Sequence, residues 1–492
     1  MSPAANADPS SSRSDPNNPW APSVAYLEDD PDRRLMDDVY GGTRTLREHP
    51  EYLPQMPREA DEHYERRRET AVLYNATKRT LKGLAGMVFR KNIVLDAGEH
   101  DAFRDHAENI DLEGRHLDVF AREVTETALR HGLTHVLVDH TQAGVDDDRT
   151  PSRGEVRQLG QRPYWVHLTA RQLIGWRSAL VGGREILTQI RYVTRGMRPE
   201  GDYGEELYET LRVLSRETDE DGMPVDAPVR YEAWRRKVGE GGRGDLVEEG
   251  TLDVNVIPLA TIYSNRAGFM RADPPLMDLA EENLRHYRCL STSDRGLDVA
   301  QYPVPVFMGL EEEEDLEVGP SRAVRLPLDG DAKYLEPSGN ALEGADTRLQ
   351  RSEMRMAILG LSMLHSESRA AETARAKEID KAEQDSELAA VARGVEDALN
   401  EAATLHAMWL GHDSPATVEV NKDFNVLAIT EGKARAMMDL VERGLLSRHT
   451  LWEALRIGEW LPDTFDPDDE ARLIEEDGGG LGFPDPRIAG AA

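Results

Sequence analysis

The chain of 492 residues has a single cysteine, Cys289. One thiol excludes an intrachain disulfide framework and any zinc site built on paired cysteines, and it fits a reducing compartment. Long apolar runs are missing too: no stretch approaches the roughly 18 consecutive apolar residues that a membrane-spanning helix needs. The amino terminus, MSPAANADPSSSRSDPNNPW, lacks the charged-then-apolar layout of a signal peptide, so neither export nor membrane insertion is expected. Basic residues are outnumbered, with 59 Lys and Arg against 92 Asp and Glu, for a formal charge of -33. That balance argues against a general nucleic-acid binder gripping phosphates along a basic face. It is compatible with a surface that DNA passes without sticking, given a few placed cations, and equally with acidity that serves solubility alone.

Signatures of chemistry are also scarce. The one G-x-G-x-x-G match is Gly239, Gly241 and Gly244 in GEGGRG. It leads into VEEGTLDVNVI, a strand pattern, whereas a dinucleotide site must lead from a strand into a helix; it reads as a hairpin turn. No GxxxxGK[ST] phosphate loop, H-E-x-x-H, calcium loop or G-x-S-x-G elbow occurs, and Ser362 in GLSML lacks the second glycine. His131 and His135 find no third ligand. The acidic run Glu311, Glu312, Glu313, Glu314 and Asp315 reads as a solvated loop without a rigid cage. The expectation is a protein that is not an enzyme, with no catalytic residue, no metal and no cofactor.

What is present is 39% hydrophobic content, enough for real cores, over a length that suggests about two to four structural units. Residues 1 to about 35 are rich in Pro, Ser, Asn and Asp and read as a disordered arm. A helical pattern runs from Glu59 to about Arg90, with Leu73, Ala76, Thr80, Leu84 and Val88 on one face. A second runs from about Leu117 to His131, stopped by Gly132 and followed by the buried strand THVLVDH. From about Pro163 to Tyr263 the period falls to two. YWVHL, QLIGW, ILTQIRYV, ELYETLRVL, RYEAWRR and LDVNVIPLATIY predict an antiparallel sheet region, so the fold class is α+β.

A long helix from about Leu276 to Asp298 follows, then a compact strand-rich insertion and a helix from about Ala341 to Leu364. After a short break, HSESR, about 40 proline-free residues from Ala370 to Leu410 read as one helix, roughly 60 Å long. Leu388, Val391, Ala392, Val395, Leu399, Ala402, Leu405 and Trp409 keep one face of it buried. Its length exceeds what its own core needs, which predicts a helix spanning between parts. A strand in TVEVNKDF, two or three short helices and a glycine-rich tail complete the chain.

This order resembles the portal proteins of tailed bacteriophages, and more closely an uncharacterised portal-like branch known mainly from phage and prophage genomes. The likeness is carried by YNATKRTLKGLAGMVFRK (Tyr74 to Lys91), FAREVTETALRHGLTHVLVDH (Phe120 to His140) and RPYWVHLTARQLIGW (Arg162 to Trp176). PPLMDLAEENLRHYR (Pro274 to Arg288), KYLEPSGNAL (Lys333 to Leu342) and ETARAKEID (Glu372 to Asp380) extend it, so that it covers roughly 35 to 480. None of these is a catalytic signature.

The resemblance implies a portal-like multi-domain subunit. Its wing would cover 36–273, and its stem helices 274–299 and 341–364 would flank a clip at 300–340. A tunnel loop at 365–370, a long helix and wing strand over 371–426, crown helices over 427–478 and a disordered tail at 479–492 would follow. It implies a homo-oligomeric ring, typically of twelve subunits, at one capsid vertex, conducting double-stranded DNA in packaging and ejection. The implied partners are terminase and head-tail adaptor, docking at the clip where Glu311 to Asp315 lie, and the major capsid protein. No membrane is implied; the place is the virion, after assembly in the host cytoplasm.

His365, Ser366, Glu367, Ser368, Arg369 and Arg375 become the implied channel residues, with Arg369 expected to point toward the axis. The break is shorter than a long loop closing on DNA requires. Arg375, Lys377 and Lys381 have acidic neighbours (Glu372, Glu378, Asp385) at distances where pairing within the helix competes. Arg285, Arg288 and Arg295 are expected to pair with acidic residues of the neighbouring subunit. A ring of twelve such chains would carry roughly -400, which repels DNA from most of the lumen. Two other readings stay open: a metal-dependent nucleic-acid-processing enzyme, and another oligomeric capsid or adaptor protein.

Overall fold

The computed structural model describes residues 17–98, 101–141, 161–301, 304–308, 331–335, 339–362, 374–422, 431–457, 461 and 465–476. The chain divides into two compact units, 1–422 and 423–492.

The first unit corrects the reading of 1–35 as a disordered arm. From Asn17 onward the chain is fastened down, while 1–16 lie outside the described residues. Trp20 is buried under the Arg236 guanidinium, 3.7 Å from its ring centroid, and its Nε1 donates to the Arg243 carbonyl at 2.7 Å. Arg191 donates to the carbonyls of Pro19 and Ala21. Helix α1 (Val24–Gly41) then starts at Ser23, whose hydroxyl accepts from the Tyr26 N–H, and it buries Met36 and Val39. Composition missed this because the anchors are single apolar residues in a polar setting, and their partners lie far along the chain.

Helices α2 (Thr43–Glu48), α3 (Asp61–Thr70) and α4 (Ala76–Val88) follow, with a 3-10 turn at Pro50–Tyr52. The pattern read as continuous from Glu59 to Arg90 is therefore two helices. Asn75 restarts the second by accepting from the Lys78 N–H at 2.9 Å. Next come β1 (Val94–Asp96), α5 (Asp101–Ala107), α6 (Leu117–His131) and β2 (Leu133–His140). Between α6 and β2, Gly132 has φ 84°, and a Cβ there would stand 2.6 Å from the Asp273 carbonyl oxygen. Both the turn and the close approach require glycine.

The strand region comprises β3 (Pro163–Thr169), β4 (Leu173–Val181), β5 (Arg184–Glu200), β6 (Gly204–Ser215), β7 (Arg230–Lys237), β8 (Asp245–Thr251), β9 (Leu259–Tyr263), β10 (Arg266–Gly268) and β11 (Arg271–Ala272). It forms a five-stranded antiparallel meander, β4-β5-β6-β7-β8, and a separate three-stranded sheet, β3-β2-β9; β10 and β11 pair on their own. LDVNVIPLATIY, read as one strand, instead crosses between the two sheets, with Pro258, which has no N–H for a ladder, just before β9. Leu137, Leu168, Leu173, Ile190, Tyr192 and Leu259 pack together in one core drawn from both sheets. The GEGGRG segment is the β7–β8 connection, as the hairpin reading expects, with Gly239, Gly242 and Gly244 all at positive φ.

Helix α7 (Met277–Gln301), strands β12 (Val304–Met308) and β13 (Asp331–Leu335), helix α8 (Gly339–Ser362), helix α9 (Ala374–Leu410) and strand β14 (Thr417–Glu419) end the first unit. Strands β12 and β13 pair antiparallel from Val304–Leu335 to Met308–Asp331. Helix α9 buries Leu388, Val391, Ala392, Val395, Leu399, Ala402 and Leu405 and packs on β2, β3 and β9. Asn400 holds β14 through both its amide atoms, at 2.9 and 2.8 Å from the Val418 carbonyl and N–H. Trp409 Nε1 donates to the Val138 carbonyl at 3.0 Å.

The second unit contains α10 (Glu431–Glu442), α11 (Arg448–Ile457) and α12 (Pro467–Glu476). Leu451 and Leu455 of α11 pack against Met437 and Val441 of α10. Ser447 and Asp466 cap α11 and α12 by accepting from the N–H groups of Thr450 and Asp468.

Candidate functional site

The elements that carry the implied function are the paired helices α7 and α8, the hairpin β12–β13 joined to both, and α9. Helix α7 starts behind Pro274 and Pro275, where the missing N–H costs nothing. It buries Leu279, Ala280, Leu284 and Tyr287. Buried Asn283 fixes it to the start of α4: its Oδ1 accepts from the Thr77 N–H and hydroxyl at 3.2 and 3.1 Å, and its Nδ2 donates to the Tyr74 carbonyl at 2.7 Å. Glu282 ties α7 to α8 by accepting from the Ser352 hydroxyl at 2.6 Å.

The three arginines expected to reach a neighbouring subunit are engaged within the chain. Arg295 pairs with Glu59, a buried carboxylate that Arg67 also grips at 2.9 Å. The Arg67 hydrogen bond, with Arg295 beside it, holds the Glu59 carboxyl below the usual carboxylate range. Arg288 donates from Nε to the Tyr52 carbonyl at 2.8 Å. Arg285 pairs with Glu282 one turn back at 3.3 Å, yet 48% of its side chain stays exposed. Arg288 and Arg295 thus have partners within the chain, because residues 52 to 59 fold onto α7, a packing that no local pattern reveals.

Sequence reasoning passed over a row of arginines on α8. Arg348, Arg351 and Arg355 follow one another at helical spacing, are exposed, and border with Arg285 a groove of about 410 Å³. Their spacing was the available signal. Of the implied channel residues, His365, Ser366, Glu367, Ser368 and Arg369 lie outside the described residues, and Arg375 falls in the first turn of α9. Glu311 to Asp315 also lie outside the described residues, in the segment joining β12 to β13.

The far end of α9 has its own electrostatics. His406 Nε2 stands 2.9 Å from His106 Nδ1 of α5, and its ring meets Phe103 edge-on at 4.9 Å. Burial, with the Arg162 charge adding to it, pushes the His106 pKa down to about 4. Burial, then His106 and Arg162, put His406 well below its ordinary value. Histidines 131 and 135, adjacent in sequence pattern, part ways: His131 Nε2 meets Asp37 at 2.7 Å, and His135 Nδ1 meets the Thr261 hydroxyl at 3.0 Å. Among the described residues no helix is long and apolar enough to cross a membrane.

A family model described as a domain of unknown function, DUF4055, matches residues 275–410, from the entrance of α7 to the end of α9. No curated protein matches the chain. Among solved structures, the chain is similar to one from the virion of a native gene transfer agent (GTA) particle, with 14% identity, TM-score 0.41, and coverage of 79% of this chain and 90% of that one. It is similar to a chain in the neck of an empty GTA particle computed with C6 symmetry, with 14% identity, TM-score 0.41 and coverage of 78% and 90%. The neck of a native GTA particle computed with C12 symmetry contains another, with 14% identity, TM-score 0.36 and coverage of 77% and 89%.

Proposed function

We propose that the chain is a portal subunit of a tailed-phage-like particle, forming a ring through which double-stranded DNA enters and leaves the capsid. The observation that carries this reading is the succession α7, β12–β13, α8, α9: two packed helices bear a small β hairpin at their joined end, and a 37-residue helix then returns to the sheets. In that reading α7 and α8 are the stem, the hairpin is the clip that meets terminase and adaptor, and α9 is the spoke from channel to wing. The sheets with α1 to α6 are the wing, and α10 to α12 the crown.

His365 to Arg369 and Arg375 would line the narrowest part of the channel, with Glu311 to Asp315 in the clip and Arg285 facing a neighbouring subunit. The acidity of the chain supports the same reading, since a lumen of like sign repels DNA and keeps it sliding. Assembly tests it. The purified full-length chain is expected to give, by mass measurement and axial electron micrographs, rings of about a dozen 55.0 kDa copies around an open channel. A chain that stays monomeric or dimeric under every assembly condition overturns the reading.

A further inference from the structure

Helix α8 carries three interleaved stripes. Leu349, Ser352, Met356 and Gly360 are buried and form its seam against the rest of the first unit. On one side of the seam run Gly344, Arg348, Arg351 and Arg355, and on the other run Glu343, Asp346, Gln350, Glu353 and Ala357; every residue of both rows is exposed. Among the described residues, Arg348, Arg351 and Arg355 have no hydrogen bond or ion pair. Arg285 of α7 adds a fourth guanidinium to that row. On the acid row, Glu353 meets His286 at 3.5 Å with 58% of its side chain exposed, and Asp346 accepts from Gln350. Behind the two rows Met354 and Ile358 stand 68% and 51% exposed.

Like charges three and four residues apart destabilise an isolated helix, so the arginine row costs stability until something covers it. We propose that the arginine flank of α8 docks on the acid flank of α8 in a second copy of this chain. Both flanks belong to the same helix and lie on opposite sides of it. A copy whose arginine flank is covered therefore still offers its acid flank to another. The contact is head-to-tail and propagates into a ring or filament instead of stopping at a twofold dimer. A nucleic-acid phosphate backbone would satisfy the arginines but leave the matching acid row unexplained, and it would have to approach a chain of net charge -33. Closure into a ring rests on the portal reading; the flank contact rests on α8 alone.

The test uses three full-length variants, each checked for a cooperative thermal melt. R348E/R351E/R355E makes both flanks acidic, and E343K/D346K/E353K makes both basic. Each alone is expected to associate on the order of a hundredfold more weakly than the natural chain, and an equimolar mixture should regain assembly because their flanks are complementary. R348Q/R351Q/R355Q, a milder change, should weaken assembly and remove most of its salt dependence. The proposal is overturned if either reversed variant or the Gln variant assembles at the natural chain's concentration, or if the folded mixture stays dissociated. It also falls if R348E/R351E/R355E forms normal rings but no longer retains DNA, which would make the row a phosphate contact. Normal assembly by every variant sinks only the flank contact, whereas failure of the natural chain to assemble sinks the portal reading as well.

Discussion

Asp37 shows how much a single side chain can organise. It meets His131 Nε2 at 2.7 Å, Arg130 Nε at 3.1 Å and Arg171 Nη1 at 3.2 Å, joining α1 to α6 and to the turn before β4. Burial works to raise its pKa, but the His131 hydrogen bond and the two guanidiniums win and hold it at about 2, below the ordinary 3.8. The folded value lies below the unfolded one, so the carboxylate stabilises the fold above about pH 4, and that contribution is lost as pH falls toward 2. Asp37→Asn should cost about 2 kcal/mol at neutral pH and flatten the stability curve between pH 4 and 2. Urea unfolding across that window checks it; an unchanged slope would contradict the assignment. Nothing around Asp37 in sequence marks it out, because its partners lie about 90 to 130 residues away. The same distance hid Glu59 and Tyr52 as partners of Arg295 and Arg288. The arginine row of α8, by contrast, was written at helical spacing in RLQRSEMR and could have been read.

Among the elements, α9 was the most legible, since its apolar residues repeat every three or four positions and the structure buries them. The antiparallel strands were legible from their period of two. Their division into two sheets was not, because period fixes which face a residue takes and leaves the pairing partner open. Packing of α9 on β9 depends on Gly394, where an added Cβ would stand 2.8 Å from the Tyr263 carbonyl oxygen. A backbone oxygen cannot swing aside, so Gly394→Ala should cost about 1 to 3 kcal/mol by chemical denaturation. A variant as stable as the natural chain would mean that α9 does not lie this close.

At its other end α9 meets α5 through His106 and His406, with Asp105, Arg162 and His140 as the charged or titratable groups around them. Both histidines have folded values below the ordinary 6.5. Their neutral forms therefore stabilise the contact fully above about pH 6.5, and that stability is lost as pH falls toward 4. Hydrogen exchange, corrected for its intrinsic rate, should show 101–107 and the last turns of α9 losing protection over that range before the sheets do. Unchanged protection there would refute it.

For the whole molecule, composition carried the general character, an acidic chain with real cores, and the α+β class followed from the two periodicities. What it could not carry was the closing of the first unit upon its own beginning. Trp20 is bonded to a carbonyl 223 residues later, and Arg191 and Arg236 complete the clasp. A ribosome reaches Arg243 roughly 10 to 45 s after it has made Trp20, at the usual 5 to 20 residues per second. During that interval Trp20 can meet Ile174, Leu211 and Val213 but lacks the Arg243 carbonyl, and the sheet is still without β8. Nascent chains stalled before and after position 243 should therefore differ sharply in how readily a protease cuts near Trp20, because translation itself sets when the clasp can shut.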